Sequence, residues 1–197
     1  MIRLDLLKEE DLMKIIAWNN GRTADYLLQW SGPLFKFPLT LEQLEDYYLK
    51  EVTRGNSNIS VYRIVLLETN EVIGTIELRE FDKESKIGKV CRFLIGDENV
   101  RGRGVGTLAL EDILRIGFED LRFEKIILSV FDFNLGAIKC YENAGFKKEK
   151  LMENATKSST GYWNSYQMGI YKGEWNSKEE GESHNKKVSG ETVKKSL

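Results

Sequence analysis

Phe93-Leu-Ile-Gly-Asp-Glu-Asn-Val-Arg-Gly-Arg-Gly-Val-Gly-Thr107 is the stretch on which the fold turns. Its left end closes a β-rich run. Its right end opens an amphipathic helix whose Leu110, Ile113, Leu114, Gly117, Phe118 and Leu121 recur at helical spacing. Gly102, Gly104 and Gly106 let a ligand approach the main chain, and the first amides of the helix point outward together. An anion suits that turn. The helix dipole adds partial positive charge and Arg101 and Arg103 add full charges, so a pyrophosphate is the natural guest. Thr107 follows Gly106 where a phosphate-binding P-loop needs lysine, and it stands where a dinucleotide fingerprint needs its third glycine. The spacing that fits is Arg-x-x-Gly-x-Gly, short enough to depend on its context.

Downstream, Lys125 to Phe131 (KIILSVF) is a continuous apolar run, expected as a strand buried on both faces. Asn134 to Ala144 reads as a helix that Gly145 ends, and Phe146 to Met152 and Tyr162 to Tyr171 read as two more strands. Upstream, Ile59 to Glu68, Val72 to Phe81 and Ile87 to Ile95 form three short β-rich runs, the pattern of an antiparallel meander. A short first strand and two or three helices precede them. Leu6 to Trp18 is helical in pattern, Ser31 to Pro38 is a loop holding the chain's two prolines, and Thr40 with Gln43 makes a capping box before Leu44, Tyr47 and Val52. This order predicts an α/β fold with a mixed, mostly antiparallel central sheet flanked by helices. One domain is expected over residues 1–175, with 176–197 a polar, flexible tail too poor in apolar residues to order itself.

Composition excludes several classes of function. The 197 residues carry 29 Lys plus Arg against 31 Asp plus Glu, a net charge of −2, so bulk attraction to nucleic acid or anionic lipid is not the protein's business. No apolar run approaches the roughly 20 residues that cross a bilayer. The opening MIRLDLLKEEDL has acids where a signal peptide needs an apolar stretch, so a cytoplasmic location is expected. Cys91 and Cys140 are the only cysteines and form no CxxC pair, and the single histidine, His184, lies in the polar tail. No metal site is expected, and chemistry must come from carboxylates, Tyr, Ser/Thr, backbone amides or a borrowed reactive group.

Arg101-Gly-Arg-Gly-Val-Gly106 between strand and helix, then the buried strand, then Asn134-x-x-Ala137-x-x-x-Tyr141-x-x-x-Gly145-Phe146, resembles the GNAT superfamily of N-acetyltransferases. The second motif is long and specific when it follows the first at this distance. The resemblance covers roughly Ile2 to Tyr171. The opening Ile2-Arg3-Leu4 with Leu6, Leu7 and Asp11 is loosely similar to the ribosomal-protein acetyltransferase branch. The resemblance implies acetyl coenzyme A as cosubstrate and a primary amine, of a small molecule or a peptide N-terminus, as acceptor, without nucleic acid or membrane partners. It leaves a homodimer open. It also implies that the amides of Arg101, Gly102, Arg103, Gly104, Val105, Gly106 and Thr107 hold the coenzyme pyrophosphate. Leu94 and Ile95 would offer backbone groups to the pantetheine arm, Asn134 would hydrogen-bond that arm, and Tyr141 would face the sulfur.

A phenol of reference pKa about 10 can stabilise or protonate, as general acid, a departing thiolate of reference pKa about 8.5, which gives Tyr141 a chemical task; otherwise it is one more core aromatic. An acceptor amine of pKa about 10.4 must lose a proton before attack, and Glu77 is the candidate base, with Glu80 behind it. Strand alternation puts Glu77 opposite Ile76 and Leu78, a position that also suits a solvated side chain. Cys140 has no neighbouring base to make its thiolate and is read as inert core. Arg92 either pairs with a sheet carboxylate or senses an acidic substrate. A non-catalytic acyl-coenzyme-A sensor and an RNA-binding Arg-Gly patch are the other classes; the helix that follows the turn at once argues against the second.

Overall fold

The computed structural model describes residues 1–53 and 58–176, and the predicted polar tail, except Asn176, lies outside the described residues. The chain opens with strand β1 (Ile2–Leu6), and helices α1 (Leu12–Asn19), α2 (Ala24–Ser31) and α3 (Leu41–Tyr47) follow. Strands β2 (Ile59–Leu66), β3 (Glu71–Asp82) and β4 (Ile87–Ile95) form the expected antiparallel meander. Helix α4 (Val105–Arg115), strand β5 (Lys125–Phe131), helix α5 (Leu135–Ala144) and strands β6 (Lys147–Ser158) and β7 (Gly161–Tyr171) complete the chain. β6 runs six residues beyond its expected end at Met152. It is an edge strand with charged, outward-facing residues, so no apolar alternation marks its length.

The capping residues did as their side chains dictate. Thr23 Oγ1 and Thr40 Oγ1 accept the Tyr26 and Gln43 amides at 3.2 and 3.3 Å and start α2 and α3. Gln43 departs from a reciprocal capping box. Its side chain reaches instead to the Lys36 main chain and the Pro38 carbonyl, which fixes the loop before α3.

The seven strands lie in the order β1-β2-β3-β4-β5-β7-β6, and only β4 and β5 run parallel. α4 and α5 cover one face, where Leu110, Ile113, Leu114 and Phe118 meet Ile76, Leu78, Ile126 and Leu128 in a single buried cluster. Each such large side chain contributes roughly 1.5–3 kcal/mol by leaving water. A second cluster, with Leu12, Ile15, Leu27, Phe35, Leu44 and Val61, fixes α1–α3 on the opposite face.

The β4–β5 junction positions the site. These strands pair only through Ile87–Lys89 against Lys125–Ile127. Beyond that point β4 follows β3 while β5 stays paired with β7 out to Phe131, so the sheet splits into a wedge. A bulge bends β4. Its register with β3 slips between Thr75↔Leu94 and Glu77↔Cys91, and Arg92 takes a left-handed φ of 44° there. Across the mouth of the wedge, Asp25 on α2 accepts the Ser159 amide at 3.1 Å and its hydroxyl at 2.6 Å, which ties the β6–β7 hairpin to the N-terminal helices.

Candidate active site

The wedge holds a cavity of about 730 Å³. Leu94 and Ile95 line it from β4, Ser129, Val130 and Phe131 from β5, and Asn134 and Tyr141 from the α5 side. Gly102 and Gly104 to Thr107 close one end. The glycine turn and the long motif around Tyr141 therefore meet in one cavity, although Arg101 and Tyr141 are 40 positions apart in the chain.

The anion end follows from what α4 lacks. α2, α3 and α5 each have a side chain capping their first turn; α1 does not, and neither does α4, whose N-cap is Gly104 at φ 79°. The first helical bond runs from the Leu108 amide to the Gly104 carbonyl at 3.2 Å, so the Val105, Gly106 and Thr107 amides ahead of it have no helical acceptor. Two amides of the expected cradle are already used. Arg101 N–H donates to the Glu98 carbonyl at 3.2 Å and Arg103 N–H to the Val100 carbonyl at 3.4 Å. These bonds shape the turn and leave the amides of Gly102 and Gly104–Thr107 as the ones an anion could meet. A coenzyme pyrophosphate fits this set of donors. At Gly106 a Cβ would lie 2.9 Å from Cys140 Sγ, so glycine also sets how closely α4 approaches α5.

The arginine side chains divide differently from expectation. The Arg101 guanidinium folds back onto the Ile95 carbonyl, with Nε at 3.1 Å and Nη2 at 2.9 Å, and pairs with Glu98. It braces the loop and occupies one of the backbone acceptors at the end of β4. Arg103 is largely exposed, does not line the cavity, and lies 4.0 Å from Glu68. Lys139, on α5, does line it and supplies positive charge that the sequence motif does not flag. Asn134 Oδ1 accepts the Ala137 N–H at 3.2 Å and caps α5, so only its amide nitrogen remains to donate into the cavity.

Tyr141 is buried between Phe93 and Phe146, and its hydroxyl has no hydrogen-bond partner among the described residues. Burial, reinforced by the neighbouring thiols of Cys140 and Cys91, holds the phenol above its ordinary range, so it stays protonated near neutrality. Cys140 is likewise pushed up by burial and lies 3.6 Å from Thr107 Oγ1. No thiolate is prepared there.

Glu77 stands elsewhere. It faces α1–α3, as alternation requires, but it is not solvated: its side chain is 0% exposed. Oε1 accepts Arg79 Nε at 2.7 Å, and Oε2 accepts Arg92 Nε at 2.6 Å together with the Tyr47 hydroxyl. It does not line the wedge cavity, whose described walls contain no carboxylate and no histidine. Arg92 thus pairs with a sheet carboxylate, one of its two sequence readings. Sequence reasoning missed the partnership of Tyr47, 30 positions from Glu77, because nothing local to either residue records it. It also missed Tyr26 and Gln29 of α2 as cavity walls.

Among the described residues no group of three or more His, Cys, Asp or Glu side chains is gathered to hold a metal ion, and no helix is long and apolar enough to cross a membrane. A family model described as an acetyltransferase (GNAT) domain matches residues 2–147. A SPbeta prophage-derived uncharacterized N-acetyltransferase of Bacillus subtilis (strain 168) is 24% identical over 140 residues, covering 71% of this chain and 75% of that protein. An aminoglycoside N(6')-acetyltransferase type 1 of Klebsiella pneumoniae is 26% identical over 157 residues, 75% of each chain. In fold, the spermidine N-acetyltransferase of Vibrio cholerae, solved in complex with CoA and spermine, aligns over 88% of this chain and 97% of its own, with TM-score 0.75 and 21% identity. The split sheet, the uncapped α4 and the matched domain agree: this chain belongs to the GNAT family and is an acetyl-CoA-dependent N-acetyltransferase.

Proposed function

We propose that the acceptor is a primary amine on a small molecule, and that the chain catalyses direct attack of that amine on the acetyl thioester with Tyr141 as general acid. The observation that carries this reading is the pairing, in one wedge, of open helix amides at one end with a neutral buried phenol at the other. Bound acetyl coenzyme A would supply the activated acetyl group and the thiolate leaving group. Gly102, Gly104, Val105, Gly106 and Thr107 would hold its diphosphate, with Lys139 adding charge at the rim. The free inner edge of β4 at Leu94 would meet its amide arm as a partner strand does, and the Asn134 amide would donate to the same arm.

Tyr141 then donates a hydrogen bond to the departing sulfur as negative charge develops on it; because a phenol is a weaker acid than a thiol of reference pKa about 8.5, transfer is completed by the proton that the newly acylated nitrogen releases. Its burial among aromatics keeps that proton in place until then. With no carboxylate or histidine on the described cavity wall, the attacking amine loses its proton to water at the mouth, and the neutral fraction of the amine limits the rate. Glu77 serves as a positioning residue, fixing Arg92 at the bulge that opens the wedge. A small acceptor, not a peptide N-terminus, agrees with the relatives, one acting on aminoglycosides and one on spermidine. Such chemistry suits the cytoplasm, and self-association, from a homodimer upward, is read by light scattering.

The test is coenzyme-A thiol release from acetyl coenzyme A across a panel of small amines and of peptides with free N-termini. Faster release with at least one small amine than with every peptide is expected. Tight coenzyme binding with no release for any amine would refute transfer.

A further inference from the structure

The wedge runs through the sheet. On β5, Ile126, Leu128 and Val130 belong to the buried cluster under α4 and α5, so alternation turns Ser129 and Phe131 to the opposite face. Phe131 nonetheless lines the same cavity as Tyr141, which α5 presents from the other side. The coenzyme reading uses the α4 turn, the inner edge of β4 and α5. The remaining wall, formed by Tyr26, Gln29 and Trp30 of α2 with Ser129 and Phe131 of β5, has no task in that reading. An amine that reaches the thioester from the α2 face meets this wall first.

The wall is aromatic and held in place. Trp30 Nε1 donates to Asn19 Oδ1 at 3.1 Å, which fixes the indole, and its ring lies 6.1 Å from that of Phe35. Phe131 stacks on Phe133 at 5.7 Å with their planes 3° apart, and the Trp163 ring lies at a steep angle to both at 4.9 Å. Phe133 is 46% exposed, so the aromatic surface continues outward from the cavity.

No Asp or Glu lines the cavity among the described residues. The carboxylates that flank its lining residues in the chain are engaged elsewhere: Asp25 with Ser159, Asp132 with the Asn164 amide at 3.1 Å and Glu142 with Lys148 at 3.6 Å. Glu98, which pairs with the lining Arg101, also holds Arg22 at 2.6 Å. We infer that the wall of Trp30 and Phe131 binds the body of the acceptor, and that the acceptor is a monoamine carrying its amino group on a short chain from an aromatic ring. This rests on the acetyl-transfer reading of the wedge and narrows its substrate class. The ring packs on fixed aromatic surface, and the same apolar surroundings favour the neutral form of the one amine, the form that attacks. The transfer is unchanged: the nitrogen bonds the acetyl carbon as the C–S bond breaks, and the nitrogen's proton ends on the coenzyme sulfur. A polyamine or an aminoglycoside brings further ammonium groups, each losing water with no carboxylate in the wall to receive it. The inference needs no net field around the cavity, only a wall without an acid.

The experiment measures kcat/KM for thiol release by the full chain with 2-phenylethylamine, 3-phenylpropylamine and 4-phenylbutylamine, each against the aliphatic amine that lacks only the ring, and against spermidine and kanamycin. Calorimetric titration of the same amines into the chain saturated with coenzyme A reads binding separately. At least one arylalkylamine should exceed its ring-less partner tenfold or more, and exceed spermidine and kanamycin. That ratio should fall to within threefold in Phe131→Ala and recover in part in Phe131→Tyr, a change in selectivity that a loss of stability alone does not produce. A ratio below tenfold in all three pairs, faster release from spermidine or kanamycin than from every arylalkylamine, or a preference that survives Phe131→Ala would overturn the inference. If Phe131→Ala does not fold, the unmodified protein's ratios decide alone. Ring-selective binding without thiol release from any amine would sink the transfer reading and leave the aromatic wall standing; release without ring preference would do the reverse.

Discussion

Replacing Glu77 with glutamine isolates what its charge does. The carboxylate is fully buried and accepts from three donors, two of them guanidinium nitrogens at 2.6 and 2.7 Å. At an effective dielectric of about 20, each ion pair is worth roughly 4 kcal/mol in gross attraction, most of which desolvation offsets. Removing one partner of such a buried cluster typically costs about 3–5 kcal/mol, because the cations stay behind unpaired. Arg79 and Arg92 keep 29% and 14% of their side-chain surface, so water recovers part of that loss. The expected destabilisation is therefore about 2–3 kcal/mol, or roughly 5–10 °C in melting temperature for a domain of this size. Urea unfolding followed by tryptophan fluorescence and by circular dichroism would measure it, with an unchanged m-value showing that the same structure unfolds. At a temperature where the variant is folded, turnover should stay within about tenfold of the unmodified protein if Glu77 only positions Arg92. A loss of 10²–10⁴-fold that also erases the acidic limb of the pH–rate profile would make Glu77 the base and refute the positioning argument. A stability loss below about 1 kcal/mol would refute the electrostatic one.

Three further outcomes follow from the same geometry. Tyr141→Phe should slow thiol release by roughly 10²-fold or more while coenzyme affinity changes less than threefold, as rapid-quench kinetics and calorimetry would establish; equal rates would remove the phenol from the chemistry. Gly104→Glu sets a side chain at φ 79°, strained by about 1–2 kcal/mol, and a negative charge beside the open amides, so coenzyme binding should vanish while the fold survives; unchanged affinity would mean that the diphosphate sits elsewhere. Tyr47 and Tyr141 are both raised above their ordinary range by burial, so the unfolded chain loses those protons first as pH rises. Stability should be flat in this respect below pH about 10 and fall above it by roughly 1.4 kcal/mol per pH unit for each tyrosine, and Tyr47→Phe should flatten that fall.

Periodicity carried most of the fold because its signals are local. Ile87–Ile95 and Lys125–Phe131 form with the boundaries expected of them, since both are mostly apolar and β-branched runs bounded by polar turns, even though β4 also carries Lys89 and Arg92. The glycine turn and the helix start after it were legible for the same reason, as both are adjacent in sequence. What stayed hidden depends on distance in the chain. Whether Arg101 turns outward to a phosphate or inward to the Ile95 carbonyl is settled by tertiary geometry, and its spacing from the glycines is the same in both cases. Glu77 looked solvated because alternation gives a side chain's face without saying what covers it; α3 does, through Tyr47. The wedge itself needs three-dimensional knowledge of where β4 leaves β5, though the left-handed Arg92 that bends β4 sits in an unremarkable stretch of strand.

The sheet is two blades joined at one end by three residue pairs and at the other by Asp25 reaching Ser159. Neither Asp25 nor Ser159 belongs to the buried hydrophobic clusters, so the width of the gap and the durability of the fold are governed by separate residues. Evolution can therefore widen or narrow the opening by editing a hairpin tip and one helix turn, admitting a new amine without rebuilding the interior that keeps the molecule folded.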